Sequence, residues 1–274
     1  MVKINHELPV KLLNKFDGYN DIDFCLPVFY KNIPKYRDHF LENRNKGRLS
    51  IMDNGLFEGK IPPETELFEM LLDLNPSLFV VPDAWDNPIE TYENAARWMD
   101  NKSIFNTTYF MVVMQGQYYD EVASLYEKCT SLGYEHFAIN HSSRLYQSFG
   151  DSNRLINQMN GRKKLLDNLK SDGLIKDNHY IHLLGCSLPQ EGLLYKGKEE
   201  YSFISSVDTS NPIINGIIGV RYEDSGLLTK PEEKMENFII SSFTEKQISD
   251  VEYNILKFKE MWGDQNQTVA QLPI

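Results

Sequence analysis

Residues 109–141 read YFMVVMQGQYYDEVASLYEKCTSLGYEHFAINH, and the fold turns on how this stretch is punctuated. The run 109–114 is short, apolar and rich in aromatic and β-branched residues, and it stops at Gln115-Gly116, as a strand covered on both faces would. Over 119–132 the apolar residues Val122, Leu125, Tyr126, Cys129 and Leu132 recur three or four apart, the spacing of one helix face. Gly133 follows as a C-cap glycine would, and a second short apolar run opens at 136–139. The stretch is therefore a strand, a helix and a strand, the unit that builds parallel sheets. Outward from it, the runs 24–30, 49–52, 78–81, 180–184, 203–207 and 213–220 also read as strands. Helical spacing fills 34–45, 64–74, 89–100, 151–171, a short piece at 190–195 and a long segment at 232–262. Pro63-Glu64 fits a helix start and Ser171-Asp172-Gly173 a helix end. Eight strand-like runs alternating with helices predict an irregular (β/α)8 TIM barrel, one domain over residues 1–274. The interval between the last two runs is too short for a helix, so either that unit is degenerate or the eighth run is not a strand. In the C-terminal segment Phe238, Ile239, Phe243, Ile248, Val251, Ile255, Phe258 and Trp262 keep helical spacing, which predicts a helix closing the outer layer.

Composition narrows the function classes. The chain has 274 residues, 41% of them hydrophobic and 24% charged, the profile of a globular protein with room for a sizeable core. No run reaches the length of a membrane span, and the first residues lack the apolar core of a signal peptide, so a cytoplasmic location without membrane attachment is expected. Cys25, Cys129 and Cys186 are far apart, with no CxxC pair, and are read as buried reduced thiols. The formal net charge of -11 argues against non-specific polyanion binding while leaving room for a local basic patch.

The reactive side chains fall where a barrel would use them. Asp53, Asp83, Gln115, Asn140 with His141, the Gly185-Cys186 turn and Asp208 each stand at the C-terminal edge of a predicted strand. In a parallel barrel those edges share one mouth, where active sites of this architecture are built. An Asp after a strand is also a common helix cap or turn former, but the recurrence over consecutive strands favours a shared pocket. Carboxylates without a histidine cluster suit attack at a sugar-type carbon, one acting as nucleophile and another moving a proton. A carboxylate and an amide can also read the N–H edge of a purine.

Read in order, the segments resemble those of the tRNA-guanine transglycosylase family. Met52-Asp53-Asn54-Gly55-Leu56-Phe57-Glu58 is similar to that family's DSGGFQ, and Val81-Pro82-Asp83-Ala84-Trp85-Asp86 to its LDE-type strand end. Ala96-Arg97-Trp98 is close to its RW pair, and Val113-Met114-Gln115-Gly116-Gln117 resembles VQGG. Residues 133–139 stand where the family has a GYAIGG-like segment. His182-Leu183-Leu184-Gly185-Cys186-Ser187-Leu188-Pro189 resembles YLMGVGTP, and Ser206-Val207-Asp208-Thr209-Ser210-Asn211-Pro212 resembles FDCVxPTR. The resemblance spans roughly residues 48–212. It implies a base-exchange enzyme in which Asp208 attacks C1′ of a guanosine to form a covalent glycosyl-enzyme, and Asp53 acts as general acid and base. It further implies that Asp83 and Gln115 recognise the base, Gly116 lets the backbone approach it, Phe57 offers a stacking wall and Gly185 lines the opposite side. Asn140 and His141 are expected in the pocket where the family has a Gly-Gly pair, changing its shape.

Other departures bear on the substrate. No cysteine follows Cys186, so the family's zinc subdomain is missing, and Ile213-Ile214 replace its Thr-Arg; no metal or cofactor is implied. The compact relatives that resemble this pattern are the DNA transglycosylases of phages and bacterial genomic islands, which implies exchange of guanine in DNA for a free 7-deazaguanine base such as preQ0, in the host cytoplasm if the chain is phage-encoded. The alternatives are a tRNA-guanine transglycosylase acting on tRNA, a non-catalytic nucleic-acid-binding partner subunit, and a sugar hydrolase using the same carboxylates. Flipping a nucleotide into the mouth calls for a basic surface, for which Arg44, Lys46, Arg48, Arg144, Arg162, Lys163 and Lys164 are the candidates. Loss of the zinc subdomain favours a monomer.

Overall fold

The computed structural model describes residues 1–149 and 151–263. Eight parallel strands, β1 (Lys3–His6), β2 (Asp23–Cys25), β3 (Ser50–Met52), β4 (Leu78–Val80), β5 (Tyr109–Val113), β6 (His136–Asn140), β7 (Tyr180–Leu184) and β8 (Ile204–Thr209), pair in the order β1-β8-β7-β6-β5-β4-β3-β2. The helices between them are α1 (Leu13–Phe16), α2 (Pro27–Asn32), α3 (Pro34–Asn45), α4 (Glu64–Leu74), α5 (Pro88–Asp100), α6 (Tyr119–Ser131), α7 (Arg154–Ser171), α8 (Asn211–Ile217) and α9 (Glu245–Trp262). The result is an irregular (β/α)8 barrel. No ladder joins β1 to β2. That seam is closed by the Asp21 N–H donating to the Ile4 carbonyl (2.9 Å), the Asn5 side-chain amide donating to the Ile22 carbonyl (2.8 Å) and the Ile4 N–H donating to Asp21 Oδ2 (2.9 Å).

The expected strand 24–30 ends at Cys25, where Pro27 at the first helical position starts α2. Two further strand expectations are corrected together. The run 213–220 is not the eighth strand: residues 211–217 form α8, with Pro212 in its first turn, where a missing N–H costs nothing. Ile213, Ile214 and Ile217 of that run serve a helix that is buried along its whole length, and a short apolar run has no periodicity to tell helix from strand. Gly216 lets α9 pack closely, since a Cβ there would lie 2.5 Å from Val251 Cα. The eighth strand is instead β1, whose sequence Lys-Ile-Asn-His offers one strand-like residue. It pairs with β8, Asn5 opposite Asp208 and His6 opposite Thr209. The predicted helix over 232–262 is also shorter. It begins at Glu245, where Thr244 and Gln247 form a reciprocal capping box, which fixes a helix start; Phe238 and Ile239 precede it in non-helical chain.

Between the sheet and helices α4 and α5, Phe68, Phe79, Trp98, Phe105 and Phe110 form one aromatic cluster with ring centroids 4.8–6.4 Å apart. Edge-to-face and offset pairs of this kind make the outer layer rigid, so the strand ends are fixed points on which a site can be built. Among the described residues no helix is long and apolar enough to cross a membrane.

Candidate active site

A cavity opens at the C-terminal ends of the strands. Asp208, on β8, is 3% exposed within it. Its Oδ1 accepts two hydrogen bonds, from the Gly185 N–H (2.8 Å) and from His182 Nε2 (3.0 Å). Gly185 can aim its N–H there because the chain after β7 turns through a left-handed conformation, φ +68°, which glycine adopts without a Cβ penalty. A Cβ at that position would lie 2.5 Å from His141 Nδ1.

Facing Asp208 is the turn after β3. Asp53, 6% exposed, accepts from the Gly55 N–H at 3.0 Å. Burial, reinforced by the nearby Glu58 charge, pushes its carboxyl well above the ordinary range, which keeps the acid form available near neutral pH. Asn54 then ties this turn to the next strand. Its amide donates to Asp83 Oδ1 (2.7 Å) and the Val81 carbonyl (3.0 Å). Asp83 Oδ2 accepts from Gln115 Nε2 (2.5 Å), and Gln115 Oε1 accepts from the Asp86 N–H (3.2 Å). Burial lifts Asp83 to about 6, opposed by those two amide donors. An ionised carboxylate has about four acceptor positions, so a base edge can still be read by the two not facing the amides.

The structure brings Asp208, Asp53, Asp83, Gln115, Asn140, His141, Gly185 and Phe57 to this one cavity. Asn140 is buried and receives the Tyr146 hydroxyl on its carbonyl at 3.2 Å. His141 is held neutral, burial and then the Lys230 charge lowering it to about 3, and its ring meets Phe57 edge-on at 5.9 Å. Gly116 is the exception. It does not line the cavity; a Cβ there would lie 2.9 Å from Val122 Cγ2 and 3.2 Å from Glu121 Cβ, so α6, not a ligand, requires glycine.

The expected basic surface is mostly elsewhere. Arg44, in the last turn of α3, and Lys46 and Arg48, between α3 and β3, lie at the N-terminal ends of the strands, opposite the mouth. Arg44 donates to the Asn75 carbonyl (2.6 Å) and Lys46 pairs with Glu42 (2.8 Å). Arg48 binds Asp17 and Asp23 (2.8 and 3.2 Å). Lys163 pairs with Asp167 at 2.8 Å and Lys164 is exposed, both within α7. Arg162 is fully buried, its guanidinium bidentate to Glu191 (2.7 and 2.6 Å) and donating to the Gly185 carbonyl (2.8 Å). It is a brace under the mouth. Of the seven, only Arg144 stands at the rim, paired with Asp86 at 3.1 Å. The basic residues around the mouth are Arg144, Arg154 and two from the segment after α8, Lys230 and Lys234, whose ammonium groups lie 5.9 and 6.0 Å from the Phe57 ring centroid. None of Arg154, Lys230 and Lys234 makes an ion pair among the described residues. Trp85, 47% exposed, and Phe57, 51% exposed, add aromatic faces to the rim.

Sequence reading missed Glu7, Glu58, Asn54 and Lys230, all on the cavity wall. Glu7 was hidden because β1 was; it directly follows that strand, and its N–H donates to the Thr209 carbonyl at 3.0 Å. Burial, then the charges of Asp208, Glu58 and Asp53, pushes its carboxyl well up. The need for an eighth strand was the signal that could have found it. Asp17, Asp23 and His39 form a set that could hold a metal, but Arg48 already supplies its positive charge, and it lies away from the cavity. Compared with known proteins, the chain matches no family model and no curated protein.

Proposed function

We propose that this barrel is a base-exchange transglycosylase that replaces guanine in a polynucleotide, DNA foremost, with a 7-deazaguanine base of the preQ0 type. The observation that carries this is the meeting of three differently conditioned carboxylates in one cavity: Asp208 held by two donors on one oxygen, Asp53 kept toward its acid form, and Asp83 bridged by two amides. Asp208 would attack C1′ as the bond from C1′ to the guanine nitrogen breaks, with Asp53 giving a proton to the departing base. Asp53, now ionised, would take the ring N–H proton of the incoming base as that nitrogen displaces Asp208 from C1′. Asp83 and Gln115 would read the N–H donors and carbonyl of either base. Flipping the nucleotide costs a few kcal/mol, offset by phosphate contacts to Arg154, Lys230 and Lys234 and by base stacking on Trp85 and Phe57. The ordered resemblance of the motifs supports the same reaction, and the lack of cysteines after Cys186 supports DNA over tRNA.

The test is incubation of purified protein with labelled preQ0 and either plasmid DNA or bulk tRNA, with Asp208→Ala as control. Label entering DNA alone, and not with the variant, is the expected result. Label in tRNA alone would replace DNA by tRNA as substrate, release of free guanine without incorporation would make the protein a hydrolase, and label in neither would overturn the reaction.

A further inference from the structure

The interior of the barrel beneath Asp208 carries a polar column that the proposed chemistry does not explain. Tyr180 and His182 on β7 and Ser206 and Asp208 on β8 stand two residues apart on each strand, so each pair shares a face. The Tyr180 hydroxyl donates to Ser206 Oγ (2.7 Å), Ser206 Oγ contacts His182 Nδ1 (2.7 Å), and His182 Nε2 contacts Asp208 Oδ1 (3.0 Å). His182 and Ser206 are fully buried. A β-bulge makes the column possible. Ile181 is opposite Ile204, but His182 is opposite Ser206, so Ser205 is skipped; bulges beside active sites re-aim side chains in this way. Phe24 stacks on the His182 ring, 5.7 Å between centroids and 14° between planes, fixing its plane.

Donor inventory gives the column a direction. A carboxylate only accepts, so His182 Nε2 carries a hydrogen. If Nδ1 also carried one, it would donate to Ser206, and the Ser206 hydroxyl would have to turn its hydrogen to the Tyr180 oxygen, reversing the bond that Tyr180 gives to Ser206. With Nδ1 bare, Tyr180 donates to Ser206, Ser206 to Nδ1, and Nε2 to Asp208, so every group is satisfied.

We infer that Tyr180, Ser206 and His182 are positioning residues that fix one imidazole tautomer and, together with the Gly185 N–H, immobilise Oδ1 of Asp208, so that Oδ2 is the atom that attacks C1′. Two donors on one oxygen hold the carboxylate plane and draw charge to Oδ1, and the Glu7 side chain also hydrogen-bonds Asp208. For its consequence in turnover this rests on the transglycosylase reading; the tautomer itself does not.

The experiment has two arms. In ¹⁵N-histidine-labelled protein, long-range ¹H–¹⁵N correlation identifies the His182 signal by its loss in His182→Gln. The expected pattern is a protonated Nε2 and an unprotonated Nδ1; the opposite tautomer, or an imidazolium at neutral pH, overturns the inference whether or not the protein exchanges bases. In the kinetic arm, Ser206→Ala is expected to blur that tautomer signature and lower kcat about tenfold, as losing one net hydrogen bond would, with KM for polynucleotide unchanged. Ser206→Thr, which keeps the hydroxyl, is expected to restore both. Wild-type kcat with an unchanged tautomer in Ser206→Ala overturns the inference, and so does an equal loss in the Thr variant. If instead wild-type protein exchanges no base, it is the proposed function that fails, and the NMR arm still decides the tautomer.

Discussion

Replacing Arg162 by methionine separates a buried brace from a nucleic-acid contact. The guanidinium makes two bonds to Glu191 and also reaches the carbonyls of Ile139, Leu184 and Gly185 (3.3, 3.3 and 2.8 Å). Without it, Glu191, 2% exposed, keeps among the described residues only the Tyr195 hydroxyl at 3.1 Å and the Cys186 thiol at 3.6 Å as donors. Breaking a buried pair by removing one partner costs about 3–5 kcal/mol, because a charge is left uncompensated. In a chain of this length about 1 kcal/mol moves Tm by about 2–4 °C, so calorimetry should record a fall of about 6–20 °C. Lys164→Ala, on the exposed side of the same helix, should melt like wild type. Removing both charges in Arg162→Met with Glu191→Leu should recover most of the loss, since an apolar pair of similar volume is often neutral or better. The reasoning is refuted if Arg162→Met melts within about 2 °C of wild type, or if it loses polynucleotide binding at unchanged Tm. The variant should also slow turnover, because Gly185, which Arg162 holds by its carbonyl, is one of the two donors that hold Asp208.

Burial lifts Asp83 from an ordinary 3.8 to about 6, so the folded protein binds a proton there that the unfolded chain has lost. The stability this lends is complete below about pH 4 and disappears as pH rises through about 6; relative to Asp83→Asn, wild type should therefore lose up to about 3 kcal/mol between pH 4 and 8, and parallel denaturant curves for the two across that range would contradict it. Gly185→Ala places a Cβ against His141 in left-handed backbone, which should cost at least about 1–2 kcal/mol and lower kcat; urea unfolding at wild-type stability would show that the turn tolerates a side chain. Lys230→Ala with Lys234→Ala should weaken polynucleotide binding and reduce its salt slope by about 2, whereas Arg44→Ala with Lys46→Ala should change neither. Fluorescence-anisotropy titrations at several salt concentrations check both pairs, and the reverse outcome would move the binding surface to the other end of the barrel.

Six of the strands and the six longer helices α3 to α7 and α9 were legible because each carries its own local signal, whereas the run 24–30 is strand only to Cys25 and then becomes α2, and α1 was not anticipated. The run 109–114 is long and apolar enough to be a buried strand, and the stretch 119–132 keeps a helical stripe closed by a glycine. The strand-end carboxylates Asp53, Asp83 and Asp208 were legible for the same reason, since a parallel strand ends where its mouth residue begins. β1 and α8 were not. Lys3–His6 is a strand only because β8 supplies partners for its backbone, and residues 211–217 form a helix because α9 presents a surface against which Gly216 can close. Losing β1 hid Glu7. The basic residues show the limit most plainly. Arg44, Lys46 and Arg48 cluster in one stretch of sequence and Arg162 in another with Lys163 and Lys164, yet the first three belong to the far end of the barrel and Arg162 to its interior. Arg154 and Lys230, distant in sequence, meet at the mouth. Periodicity and turn chemistry act between near neighbours and can be read from a chain. Which end of a barrel a charge occupies, and whether a carboxylate is already waiting for it, depends on contacts between residues far apart in sequence, and those exist only once the barrel has closed.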